Sequence, residues 1–177
     1  DTHIQLGEIL FDLGKPEEAS IYDWNAIKLD PSFTFLESYR KDLKSIKKIA
    51  FYAINYTIFN HYKPIIELNT EIFEILVPSN CEQELIYKIC NDLKGKEIRI
   101  RSTNELLKNR LYYEKLITNT GGSKAEISYK NENRQIRIKV PIIKLFGKKN
   151  IRFMYSAGKT KWNLSYWNKY YDGILCY

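Results

Sequence analysis

Two rhythms divide the chain. Over the first forty residues the apolar and small positions Leu6, Gly7, Leu10, Leu13, Gly14, Ala19, Tyr22, Ala26, Leu29 and Pro31 recur at helical spacing, which predicts two short antiparallel helices. Gly14 ends the first, and Lys15-Pro16-Glu17-Glu18 opens the second, with proline early and carboxylates where the helix dipole favours them. Residues 32–48, with Phe33, Leu36, Tyr39 and Leu43 at helical spacing, read as a capping helix. At residues 49–54 the run Ile-Ala-Phe-Tyr-Ala-Ile breaks this pattern, because a short β-branched and aromatic run opening into a polar turn is the first strand of a βα unit.

From there strands and helices alternate. Predicted strands cover residues 49–54, 73–77, 97–101, 115–118, 151–155 and 173–176. Predicted helices cover 58–68, 81–93 and 163–171, with another opened by Ser102-Thr103-Asn104-Glu105. On the helix at 81–93, Leu85, Ile86, Ile89, Cys90 and Leu93 share one face. Residues 126–129 and 135–140 alternate and form a hairpin around Asn131-Glu132-Asn133, or one of them precedes a short helix at 142–146. Strands separated by helices imply right-handed crossovers. The expected class is therefore α/β: a Rossmann-like, mostly parallel sheet with helices on both faces over residues 46–177, plus an N-terminal α-helical hairpin over 1–45. The chain stops on a strand with no helix after it, which points to a longer protein. Ligands of open α/β sheets bind beyond the carboxyl ends of the strands, here the loops at 55–61, 119–124 and 156–162.

Composition adds charge to this picture. The 177 residues carry a formal net charge of +7, with the excess acid confined to the first thirty residues. An anionic partner for the later part follows, whether a phosphorylated substrate, nucleic acid or an acidic membrane surface; a solvated lysine surface is the plain alternative. Cys81, Cys90 and Cys176 form no CxxC pair and the histidines are His3 and His61 alone, so no metal site and no cofactor is expected, and the thiols read as free core residues of a reducing compartment. No stretch approaches the about 20 apolar residues that cross a bilayer, so the protein is expected to be cytoplasmic, with peripheral attachment to the inner face of the membrane left open.

Candidate chemistry gathers in the three loops. Ser156-Ala157-Gly158-Lys159-Thr160-Lys161 follows a strand and precedes a helix, so Ser156, Gly158, Lys159 and Lys161 suit an anion. It lacks the first glycine of a nucleotide-hydrolysing loop, since Phe153 stands there. His61, beside Asn55 and Tyr56 in the first turn after strand one, is a candidate general base or phosphate contact. Asn119 and Gly121 sit where backbone can approach a ligand. The aromatics Trp162, Tyr166, Trp167, Tyr170 and Tyr171 cover both faces of one helix, which suits packing better than base stacking and disfavours nucleic acid.

Two resemblances sharpen these expectations. The run Leu6-Gly7, Leu13-Gly14-Lys15, Glu18-Ala19, Tyr22, Ala26-Ile27 and Leu29-Asp30-Pro31 closely resembles one tetratricopeptide repeat, with His3 where that family usually has a bulky aromatic. Such a unit gains stability by stacking on neighbours, and the resemblance implies either a protein-binding surface or a structural neck. Further on, Lys47-Lys48-Ile49-Ala50-Phe51-Tyr52-Ala53-Ile54-Asn55-Tyr56, Leu116-Ile117-Thr118-Asn119, Arg152-Phe153-Met154-Tyr155-Ser156-Ala157-Gly158-Lys159 and Tyr171-Asp172-Gly173-Ile174-Leu175-Cys176 look like the N-terminal half of the CDP-glycerol glycerophosphotransferase-like family. That resemblance implies the two-domain arrangement called GT-B. It also implies transfer of a glycerol-phosphate or sugar-like group from a CDP-activated donor to a phosphorylated or glycan acceptor of the cell envelope. This half would shape the acceptor side, and a C-terminal domain would bind the donor. The family's Trp-His-Gly-type motif reads Tyr155-Ser156-Ala157 here, so its histidine base has no counterpart at that place. The alternative is a non-enzymatic module that binds a protein partner through the hairpin and the α/β scaffold.

Overall fold

The computed structural model describes residues 2–15, 18–19, 21–22, 36, 40–79, 83–119, 124–131, 134–153, 168 and 170–175. Helix α1 (Thr2–Asp12) ends as its sequence predicts. Gly14 has φ 74°, and the Lys15 N–H reaches back to the Leu10 carbonyl at 2.9 Å. That bond closes a left-handed helix cap available to glycine at little steric cost. The second helix of the expected hairpin lies mostly outside the described residues.

The α/β part begins with β1 (Lys44–Tyr52). It continues with α2 (Tyr56–Ile66), β2 (Phe73–Val77), α3 (Gln83–Asp92), β3 (Arg99–Ser102), α4 (Thr103–Lys108) and β4 (Leu111–Thr118). After β4 come β5 (Lys124–Asn131), β6 (Arg134–Pro141), α5 (Ile142–Phe146), β7 (Gly147–Phe153) and β8 (Gly173–Leu175). Six strands form one sheet in the order β3-β2-β1-β4-β7-β8, every pair parallel. This is the expected Rossmann-like arrangement. The open choice at residues 126–140 resolves as an antiparallel hairpin, β5–β6, in a separate two-stranded sheet, and it is followed by the short helix as well.

Each face of the large sheet has its own apolar core. On one face Ile58, Phe59, Tyr62 and Ile66 of α2 and Leu85 and Ile89 of α3 pack on Phe51, Ile75, Val77 and Ile117. On the other, Leu106 of α4 and Ile143, Leu145 and Phe146 of α5 pack on Ala50, Tyr52, Leu76, Tyr113 and Leu116. Each large side chain taken out of water contributes about 1.5–3 kcal/mol. Burial on both faces explains why β2 reads as a nearly unbroken apolar run. Its exception, Glu74, is satisfied internally: its carboxylate accepts from Arg101 Nε and from the Tyr113 hydroxyl, each at 2.8 Å. Arg101 also pairs with Glu105. Burial and the neighbouring Glu74 charge push the Tyr113 hydroxyl far above its usual pKa.

A second polar cluster joins α5 to the start of β8, its Lys144 buried and its Asp172 exposed. The Asp172 carboxylate accepts from Lys144 Nζ at 3.1 Å and from the Asn150 N–H at 2.7 Å. Arg40 donates to the Lys144 carbonyl and, at 3.1 Å, to that of Gly147. A Cβ at Gly147 would come within 2.6 Å of Leu116 Cβ and 2.5 Å of Asn150 Oδ1, so the close approach of β7 to β4 requires glycine there.

Three expectations need correction. Residues 44–48 are not the end of a capping helix but the first half of β1: Lys44, Ser45 and Ile46 pair with Leu111, Tyr112 and Tyr113, and Lys47 and Lys48 span a register shift before Ile49 meets Lys115. A strand partner overrides the local helical pattern. Cys90 is not a core thiol: α3 buries the row Leu85, Ile89, and the next position round the helix is exposed. His61 lies in the second turn of α2 rather than in the turn that leads into it. Among the described residues no helix is long and apolar enough to cross a membrane.

Candidate functional site

The order of the strands defines where a ligand fits. From β1 the chain steps outward through β2 to β3 with α2 and α3 on one face; from β4 it steps the opposite way through β7 to β8, with α5 on the other face. The connections therefore diverge between β1 and β4, leaving a crevice at the carboxyl ends of those two strands. Residues 53–55 and 118–119 stand at those strand ends.

On the β1 side, Asn55 caps α2. Its backbone is extended (φ −157°, ψ 173°) and its Oδ1 accepts from the Ile58 N–H at 2.9 Å. A side-chain cap of this kind contributes about 1 kcal/mol. It also occupies the helix N-terminus that dinucleotide-binding folds leave open to a pyrophosphate, and the turn Ala53-Ile54-Asn55-Tyr56 contains no glycine. Tyr56 is turned to a structural task. Its hydroxyl donates to Asp92 at 2.8 Å, tying α2 to α3, and the Asp92 carboxylate holds its pKa above the usual value. Lys63 joins the same carboxylate at 3.1 Å.

On the β4 side, Thr118 is fully buried, and Asn119 follows it with Oδ1 buried and without a hydrogen-bond partner among the described residues. A buried carbonyl left unpaired costs about 1–3 kcal/mol, so it is a ready acceptor for a hydroxyl or amine of a ligand. On the neighbouring strand, Arg152 of β7 stands in register with Thr118 and is buried. Its guanidinium donates to Asn168 Oδ1. The same charge opposes the rise in the Tyr171 pKa that burial causes. Sequence reasoning passed over Arg152, although a signal existed: an arginine between Ile151 and Phe153 interrupts an apolar strand and needs a reason to be there.

Asn55 and Asn119 thus stand just beyond the ends of β1 and β4, and Arg152 lies near the end of the neighbouring β7, in register with Thr118. An amide oxygen awaiting a donor and a buried cation suit a polar, anionic ligand. No group of three His, Cys, Asp or Glu able to hold a metal ion occurs among the described residues. His61 is half-buried on α2, and Gly121, Ser156, Gly158, Lys159 and Lys161 lie outside the described residues. No family model matches the chain, and no curated protein or solved structure is significantly similar to it.

Proposed function

We propose that the chain is the acceptor-side half of a transferase that moves a glycerol-phosphate or sugar-like group from a CDP-activated donor to a cell-envelope polymer or glycan, acting at the cytoplasmic face of the membrane. The observation that carries the reading is the buried Asn119 carbonyl, without a hydrogen-bond partner among the described residues, at the strand-order divergence, one position beyond the Thr118 that is in register with buried Arg152. An acceptor offers both complements, a hydroxyl to donate and a phosphate to pair. The capped, glycine-free turn after β1 supports leaving the donor nucleotide to a partner lobe. The sequence likeness over residues 46–177 supplies the class of donor. The base that deprotonates the acceptor is assigned to that lobe, since His61 sits down the helix from the crevice.

The test is turnover of radiolabelled CDP-glycerol by the complete gene product with a membrane glycan fraction as acceptor. Label should enter polymer, and Asn119→Ala should lower kcat/KM for acceptor about tenfold, the worth of one hydrogen bond to a charged or buried partner. Absence of CDP-donor turnover overturns the reading. A second reading, a protein-binding module, is favoured by one observation: Leu6, Ile9 and Leu13 leave an apolar stripe of the first helical unit exposed. It is preferred if donor turnover is absent and Ile9→Ser abolishes capture of a partner.

A further inference from the structure

At the end of the sheet away from the crevice, the three central strands carry charge that such strands ordinarily avoid. Parallel strands covered on both faces are apolar, and like charges directly opposite on neighbouring strands are destabilising. Yet Lys44, Lys47 and Lys48 on β1, Lys115 on β4, and Lys148 and Lys149 on β7 are all exposed. Lys115 and Lys149 are direct register partners, in a row that runs Phe73, Ile49, Lys115, Lys149 across β2, β1, β4 and β7. One carboxylate, Glu114, is present on these three strands, and it is shared by Lys47 at 3.4 Å and Lys148 at 3.6 Å. Lys44, Lys48, Lys115 and Lys149 have no ion pair among the described residues. Next to this row stands a bare apolar side chain, Ile72, whose carbonyl accepts the Ile49 N–H at 3.0 Å and which is 45% exposed; Leu68, in the same connection between α2 and β2, is 81% exposed.

We infer that this end of the sheet docks on an anionic lipid surface, its lysines over the headgroup phosphates and Leu68 and Ile72 entering the interface. Lysine is a point charge on a flexible stem and suits a fluid array of phosphates, whereas arginine forks and exposed aromatic rings suit nucleic acid. The exposed residues of β1, β4 and β7 include neither an arginine nor an aromatic, and the exposed arginine at this end, Arg110, whose carbonyl accepts the Lys44 N–H, is engaged with Asp42 at 3.7 Å. Basic residues with neighbouring apolar side chains are the pattern of interfacial attachment. Docking at this end leaves the crevice at the carboxyl ends open, and the inference stands or falls independently of the transfer reaction.

The experiment is co-sedimentation of the full chain with phosphatidylcholine vesicles and with equimolar phosphatidylcholine–phosphatidylglycerol vesicles. Binding is expected to the anionic vesicles alone, and to vanish at about 1 M salt, where the screening length is about 3 Å. The double substitution Lys115→Gln, Lys149→Gln should lower partitioning about 25-fold, at about fivefold per charge near the surface. Lys15→Gln with Lys88→Gln, which removes equal charge elsewhere, should leave it unchanged. Leu68→Ser should weaken binding without altering its salt dependence, and far-UV circular dichroism should be unchanged in every variant. No binding to anionic vesicles, or equal loss in both double variants, overturns the inference. Tight binding of a homopolymer RNA that excess anionic vesicles fail to displace assigns this end of the sheet to nucleic acid and overturns it too.

Discussion

Two lysine–aspartate pairs in this molecule have the same length and opposite electrostatics. Lys63 meets Asp92 between α2 and α3, and Lys144 of α5 meets Asp172 at the start of β8, both at 3.1 Å. The Lys63 side chain is 31% exposed and that of Lys144 is 11% exposed. For Lys63 the hydrogen bond to Asp92 prevails and the pKa rises above its usual 10.5. For Lys144 burial prevails over Asp172 and the pKa falls below the same value. Contact distance does not set the worth of an ion pair; the water that each charge has lost does.

The comparison can be broken most directly at the carboxylates. Asp172→Ala should cost about 3 kcal/mol in chemical denaturation, because it strands a buried ammonium and the Asn150 N–H together. Asp92→Ala should cost clearly less, since Lys63 and Tyr56 regain water; equal losses would refute the distinction. Next in size is Lys144→Met. It removes a buried charge while keeping a buried unbranched stem of similar length, so stability at neutral pH should be unchanged or higher by up to about 2 kcal/mol. Lys63→Met should lower it.

The smallest effect is the pH dependence, which sharpens the contrast by sign. Lys144 holds fewer protons folded than unfolded in the window below 10.5, so its contribution improves as pH rises through its folded pKa. The advantage of Lys144→Met should shrink over that window. Lys63 holds more protons when folded, so its contribution is complete below 10.5 and is lost as pH climbs through the raised value. The deficit of Lys63→Met should shrink only there. Denaturation midpoints measured across alkaline pH for both variants check the pair of signs.

How much of this was legible beforehand depended on where the deciding contact lay. The strand at 73–77, the helix at 142–146 and the Ser102 cap, which accepts the Glu105 N–H at 3.1 Å, were readable because their causes are local. The first half of β1 was not, because Lys44, Ser45 and Ile46 find their strand partner only in β4. Asn119 could be singled out as a polar residue ending a strand, yet its unpaired carbonyl depends on what surrounds it. Arg152 and Lys144 share one difficulty: a charge beside apolar neighbours in sequence is ordinarily turned to solvent, and only the layer packed over it puts it inside.

The placement of β1 between β2 and β4 bears on how the chain is made. Emerging from the ribosome amino end first, β1 can join β2 and β3 early, but Ile49 waits for Lys115 on its other side. Until then its unpaired backbone offers a template to any stray strand. The Lys44, Lys47 and Lys48 charges along that waiting edge repel identical nascent chains, a safeguard during synthesis that the finished sheet no longer requires.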